Sequence, residues 1–227
     1  MSISKSIFTF LILYFIVFNI HAQISKKTEP IKGIMLSLPP SFVTMTDDEI
    51  ASKFPTYKKP LAMFVSQDKT ADFGINVAVN RWQNKNLIVL RDMYKSTISS
   101  IFSEIDYKIE GDIVKINNRE FILFEFTSKY TDENNKSEST IALKNYSYIA
   151  YTLYNQKILI FNFTSTYGES GKWAAVANSL IKSIEITDKL ELKEFEPYQV
   201  NRPQPKGTEG DPQMKIIKQM KKKPGGN

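Results

Sequence analysis

Past the first two dozen residues, apolar positions follow two rhythms: alternation with period two for strands, and three-and-four spacing for helices. Gly33 to Leu38 is the first strand-like run, stopped by Pro39-Pro40. Thr46-Asp47-Asp48-Glu49 follows it. A Thr with a Glu three residues on is the capping-box pattern, and it opens a short helix that should end near Phe54-Pro55. The acids in the first turn suit the helix dipole, so structure accounts for them better than catalysis does. Leu61 to Ser66 and Asp72 to Asn80 read as strands around a polar turn at Gln67-Asp68-Lys69-Thr70, with Phe73, Ile75, Val77 and Val79 alternating in the second. Leu87, Leu90, Tyr94, Ile98, Ile101, Phe102 and Ile105 then recur at helical spacing without Gly or Pro, the strongest helical signal in the chain.

Tyr107 to Ile116, Arg119 to Tyr130, Ile141 to Tyr154 and Lys157 to Thr166 are four strands in succession. Asn117-Asn118 and Asn155-Gln156 are two-residue connections of the tight-hairpin kind, whereas residues 131–139 form a longer polar loop. Trp173, Val176, Ala177, Leu180, Ile181 and Ile184 mark a second amphipathic helix, entered through Gly168-Glu169-Ser170-Gly171 with Ser170 or Gly171 near its cap. Hairpin-linked strands flanked by helices with one apolar stripe predict an α+β fold: a mostly antiparallel sheet covered by helices.

The pattern changes at both ends. Lys5 precedes an apolar run from Ile7 to Ile20, and Ala22 offers a small residue for cleavage before Gln23. That is the form of an export signal. The run is shorter than the roughly 20 residues of a spanning helix, so a cleaved signal over 1–22 is preferred to an uncleaved anchor. Domain organisation then reads as a signal at 1–22, an N-terminal extension at 23–32, an α+β domain at 33–194 and a Pro/Gly/Lys-rich tail at 195–227. The address is periplasmic or extracellular, with peripheral membrane contact through the tail as one reading.

Composition narrows the chemistry. The 227 residues hold one His and no Cys, and the His lies in the signal. The mature chain therefore lacks Ser-His-Asp and Cys-His catalysis, disulfides and Cys/His zinc sites, and with no Cys after the signal it is not a lipoprotein. No cofactor is expected. Of 30 Lys and Arg, seven fall after Asn201 beside only two acids, which leaves residues 23–201 with equal numbers of bases and acids. The excess positive charge thus belongs to the tail, and a nucleic-acid footprint across the domain is not expected. Asp211-Pro212 can open a helix in which Met214, Ile216, Ile217 and Met220 lie on one side. Lys215, Lys218 and Lys222 lie opposite, with Lys221 and Lys223 flanking the apolar arc. The two readings are a contact with an anionic membrane surface or envelope protein, and a solvated terminus with no specific role.

Chemical motifs fail one by one. Gly168-Glu169-Ser170-Gly171 is one residue short of a nucleophile elbow. Gly171-Lys172 lacks both the upstream Gly and the Ser/Thr of a P-loop. The oxygen-rich stretch at 132–138 lacks the Gly and the acid of an EF-hand. Asn145-Tyr146-Ser147 and Asn162-Phe163-Thr164 match a glycosylation sequon but sit mid-strand, which marks them as chance matches. Tyr146, Tyr148, Tyr151 and Tyr154 crowd one strand, with Tyr146, Tyr148 and Tyr154 on the same face. Cross-strand packing is the plainer explanation. If that face is open, it is the best small-ligand candidate.

The order of elements, with Gly33-Ile34-Met35-Leu36-Ser37-Leu38-Pro39, Asn118-Arg119-Glu120-Phe121 and the block from Gly171-Lys172-Trp173 to Ser183-Ile184, resembles the PsbP-like superfamily, whose α/β/α sandwich also occurs in bacterial DcrB-type envelope proteins. The resemblance covers the layout of residues 33–186 and transfers no functional residue. It implies an accessory or binding protein rather than an enzyme. Taken together, the expectation is an exported, non-enzymatic binding or accessory protein of the bacterial envelope. The alternative is a carboxylate-based hydrolase, which needs no His; partner, ligand and oligomeric state stay open.

Overall fold

The structure, a computed structural model, describes residues 26–53, 59–79, 81–130 and 143–192. The export signal and the tail, including Lys215, Lys218, Lys221, Lys222 and Lys223, lie outside them, as does most of the oxygen-rich loop. Every described residue belongs to one compact unit.

The described strands are β1 (Lys26–Ile31), β2 (Ile34–Leu38), β3 (Phe42–Thr44), β4 (Ala62–Ser66), β5 (Ala71–Val77), β6 (Glu104–Ile116), β7 (Arg119–Tyr130), β8 (Leu143–Tyr154), β9 (Lys157–Thr166) and β10 (Glu185–Ile186). The helices are α1 (Asp47–Lys53), α2 (Leu87–Ile101) and α3 (Ser170–Lys182), the last entered through a 3-10 turn at Tyr167–Glu169. Seven strands form one antiparallel sheet in the order β3-β4-β5-β9-β8-β7-β6, and β1-β2-β10 form a smaller one. The fold is α+β, as the pattern of elements predicts.

Side-chain alternation explains the layers. In β7 the whole run Phe121 to Phe126 is buried, which requires cover on both faces of the sheet. Phe121 and Leu123 join a core with Phe73, Phe161, Phe163 and Tyr148, closed by Trp173, Ala177, Leu180 and Ile181 of α3 and by Ile34 and Leu36 of the small sheet. On the opposite face, Ile122, Phe124 and Phe126 join Tyr151 and Ile158 beneath Leu90 and Ile98 of α2. Tyr94 of α2 stacks on Tyr151 with ring centroids 3.9 Å apart.

Local chemistry sets the boundaries. Asn117 and Asn118 (φ 44° and 68°), and Asn155 and Gln156 (φ 47° and 62°), all adopt positive φ, the geometry of two-residue type I′ hairpins. The capping box forms as predicted: Thr46 Oγ1 accepts from Glu49 N at 3.3 Å, and Glu49 Oε2 accepts from Thr46 N at 2.8 Å. At the start of α2 the side chain of Asn86 accepts from Ile88 N at 2.9 Å. Two bulges interrupt β6, one taking in Lys108 and one taking in Gly111, whose φ is +95°.

Several boundaries correct the sequence reading. Helix α2 stops at Ile101, because Glu104 and Ile105 pair with Lys129 and Ser128 of β7. Strand β5 stops at Val77, which faces Leu159 near the beginning of β9, and Val79 is 78% exposed beyond it. Residues 26–31, expected as an extension, form β1 against β2. The stretch around Gly168 is, as expected, a turn into the helix: a 3-10 turn leads to α3 at Ser170, and the Glu169 side chain makes no capping hydrogen bond to this helix. Its anchor lies elsewhere: Trp173 Nε1 donates to Thr70 Oγ1 at 2.9 Å, and Lys172 pairs with Asp68.

Candidate functional site

The predicted tyrosine face exists, but it is not open. Tyr146, Tyr148 and Tyr154 share one face of β8 and belong to the core beneath α3 and the small sheet. Each hydroxyl has a structural partner. Tyr146 donates to the buried Glu125 at 3.0 Å, Tyr148 to Asn178 of α3 at 3.5 Å, and Tyr154 to the Leu190 carbonyl at 3.0 Å. Arg119 lies 5.3 Å from the Tyr154 ring centroid. The aromatic-platform expectation is therefore corrected, because the docking of α3 and of residues 187–192 turns the platform into packing. Burial pushes the Tyr148 hydroxyl up to about 12, with the Glu125 and Asp112 carboxylates adding to the shift. Tyr146 is raised further still, by burial first and then by Glu125. Tyr148 reaches a hollow, a space of about 440 Å³ between β6 and α3 walled by Ile109, Val114, Leu123, Asn178 and Lys182.

The larger hollow, about 570 Å³, lies on the opposite face of the sheet. Strand alternation builds it. In β5, Phe73 and Ile75 point into the α3 core, which turns Asp72, Gly74 and Asn76 the other way. In β9, Phe161 and Phe163 do the same and turn out Asn162 and Thr164. The register aligns these positions in rows. Thr164 stands between Ser147 and Asp72, Asn162 between Ile149 and Gly74, and Gly74 faces Met63. Asn145 of β8 faces Thr166 and extends the lining. The core that α2 closes contains no residue of β4 or β5, so this half of the sheet face carries polar side chains in place of packing.

Gly74 sets the floor. A Cβ there would stand 2.5 Å from Met63 Sδ and 3.3 Å from Asn76 Nδ2. A glycine inside a strand commonly marks a close approach of this kind. Lys53 pairs with Asp72 at the site, with Nζ 2.8 Å from Oδ2, and the Asp72 side chain is 14% exposed. Burial raises the Asp72 carboxyl above its ordinary range, with the hydrogen bond from Lys53 pulling the other way. Thr164 Oγ1 donates to Asn162 Oδ1 at 3.4 Å. Asp72 is the one carboxylate among the described residues lining the hollow, so these residues do not supply the paired acids of glycoside hydrolysis. No group of three or more Asp, Glu, His or Cys placed to hold a metal occurs among the described residues. The predicted first-turn acids are engaged locally, Asp47 with Lys59 and Glu49 with Thr46. The arrangement offers amide and hydroxyl hydrogen bonds beside the Lys53–Asp72 pair.

No helix among the described residues is long and apolar enough to cross a membrane. No protein-family profile matches the chain, and no curated protein matches its sequence. Solved structures are similar to it in fold. Cyanobacterial PsbP (CyanoP) from Synechocystis sp. PCC 6803 is similar at a TM-score of 0.48 and 6% identity, over 74% of this chain and 95% of that one. LpqN of Mycobacterium tuberculosis, involved in cell envelope biogenesis, is similar at 0.44 and 10% identity, over 74% and 87%. The Ran-binding protein Mog1p of Saccharomyces cerevisiae is similar at 0.44 and 9% identity, over 73% and 96%. These are likenesses of fold alone.

Proposed function

We propose that the chain is an exported, non-enzymatic binding or accessory protein of the bacterial cell envelope that holds a polar ligand on the β4-β5-β9-β8 face of its large sheet. The observation that carries this reading is the groove itself. A sheet face that could have been buried under α2 instead presents Asn76, Asn145, Asn162 and Thr164 around a glycine floor. The address rests on the apolar run from Ile7 to Ile20 and the small residue Ala22. The tail lysines Lys215, Lys218, Lys221, Lys222 and Lys223 add an electrostatic contact with an anionic membrane surface or envelope partner.

Fractionation of the native host tests the address and the tail together. The expected outcome is a chain beginning at Gln23 in the envelope fraction, with a version ending at Asn201 released into the soluble extracytoplasmic fraction. A cytoplasmic chain that keeps residues 1–22 overturns the export reading. Equal partition of both versions overturns the role given to the tail.

A further inference from the structure

We infer that the groove takes a neutral saccharide segment, held by its ring hydroxyls. This rests on the reading of the groove as a binding site and goes on to name its ligand class. Three features of the site lead there. The first is the donor and acceptor inventory. Asn76, Asn145 and Asn162 each offer an amide N–H₂ and a carbonyl oxygen, and Thr164 and Thr166 each offer a hydroxyl that donates and accepts. Sugar hydroxyls, each both a donor and an acceptor, use both capacities at once. The sheet sets the spacing of this array: neighbours stand about 4.8 Å apart across strands and about 6.8 Å apart along one strand.

The second feature is charge. Lys53 and Asp72 pair with one another at 2.8 Å. Lys69 is the other cation among the described lining residues, and it is exposed. A phosphate-rich or strongly acidic ligand would ask for a cluster of unpaired cations that these residues do not provide.

The third feature is the apolar strip of Pro60, Met63 and Gly74 beside the amides. It gives the C–H face of a sugar ring a surface to lie on, with Met63 as an adaptable side chain. The amides and hydroxyls named above supply the hydrogen bonds of recognition. An extended peptide fits less well. Peptides usually bind a sheet by adding a strand to its edge, whereas β5 and β9 lie inside this sheet with neighbours on both sides.

The test is a nitrogen-15 NMR titration of the purified full chain with maltotriose, cellotriose and chitotriose, and separately with the neutral peptide Ala-Ser-Ala-Ser-Ala. The side-chain amides of Asn76, Asn145 and Asn162 are expected to shift with at least one saccharide. Asn162→Ala and Asn145→Ala are each expected to weaken that saccharide about tenfold, the loss of one or two good hydrogen bonds. Asn178→Ala, in the other hollow, should leave it unchanged. If saccharides leave the three amides unmoved while the peptide shifts them, the saccharide class is overturned and the groove reading stands. If neither moves them, both are overturned. Saccharide shifts that survive both substitutions unchanged overturn the assignment to this groove.

Discussion

Trp173 ties the second long helix to the turn that closes one end of the groove, and its removal gives a sharp test of the packing. Its side chain is 3% exposed, edge-on to Phe42 with centroids 5.5 Å apart and planes at 88°, and 6.2 Å from Phe163. Its indole N–H donates to Thr70 Oγ1 at 2.9 Å, and Thr70 also lines the groove. Trp173→Ala removes a large buried ring and leaves a cavity, which costs about 3–5 kcal/mol. Trp173→Phe keeps an aromatic ring against Phe42 and loses the hydrogen bond and part of the area, about 1–2 kcal/mol. Thr70→Val preserves shape but leaves the indole N–H without its acceptor, about 1–3 kcal/mol. If the hydrogen bond carries its share, the double variant Trp173→Phe/Thr70→Val costs less than the sum of the singles by about 1 kcal/mol. Urea unfolding followed by far-UV circular dichroism measures all four forms, with equal m-values required before the midpoints are compared. A double variant that is additive to within about 0.3 kcal/mol refutes the pinning of α3 to the β4–β5 turn.

Three further outcomes follow from particular groups. Gly111→Ala places a Cβ 2.7 Å from Arg91 Cγ at a φ of +95°, so it should lose about 2 kcal/mol or more in urea unfolding, and a loss below about 0.5 kcal/mol would show that the bulge relaxes freely. The Tyr148 hydroxyl is held up to about 12 in the fold against about 10 when unfolded, so the native state keeps the proton longer and stability falls as pH rises between those values. Tyr148→Phe should flatten that part of the alkaline stability curve, and an unchanged slope would contradict it. The Asp72 carboxyl is raised in the fold, so its contribution favours folding at low pH and is lost as pH rises through the folded value. Asp72→Asn should therefore gain on wild type in stability as pH climbs from about 4 toward neutrality, and a gain that shrinks over that range would refute the assignment.

Much of the architecture was legible because single residues decide it. Asn117-Asn118 and Asn155-Gln156 tolerate the positive φ that a two-residue hairpin demands, and the ends of β7 and β9 flanking them match the sequence reading residue for residue. Thr46 and Glu49 are close in sequence and satisfy one another locally. Elements that depend on distant pairing were harder to read. Ile105 continues the helical spacing of α2, yet β7 claims it for a strand. Lys26 to Ile31 has neither alternation nor freedom from Pro, and it becomes a strand only because β2 lies beside it. The tyrosine face illustrates the same limit for function. A strand's alternation shows which side chains share a face, but whether a helix covers that face depends on where α3 docks. The groove left a fainter trace: Asp72, Gly74 and Asn76 alternating with Phe73 and Ile75 in β5, and Asn162 and Thr164 alternating with Phe161 and Phe163 in β9, which in either strand alone reads as ordinary solvent-facing polarity.

That faint trace carries weight once the register is known. A face exposed only to water is usually built from Lys and Glu, whose charged heads keep it soluble and unpaired. Here the central positions are Gly74, Asn76, Asn162 and Thr164, all short, uncharged side chains or none at all. The one acid among the described residues lining the hollow, Asp72, pairs with Lys53 while burial raises its carboxyl above the ordinary range. Stability alone would favour an apolar residue at such a position, or Asn. The cost is borne next to a glycine whose replacement would press on Met63. Packing of Met63 accounts for the glycine, but the α3 core, which buries the other side of the same strands, does not account for the uncharged Asn76, Asn162 and Thr164. The uncharged amides and hydroxyls on this face are the feature on which the proposed binding of a hydrogen-bonding ligand rests.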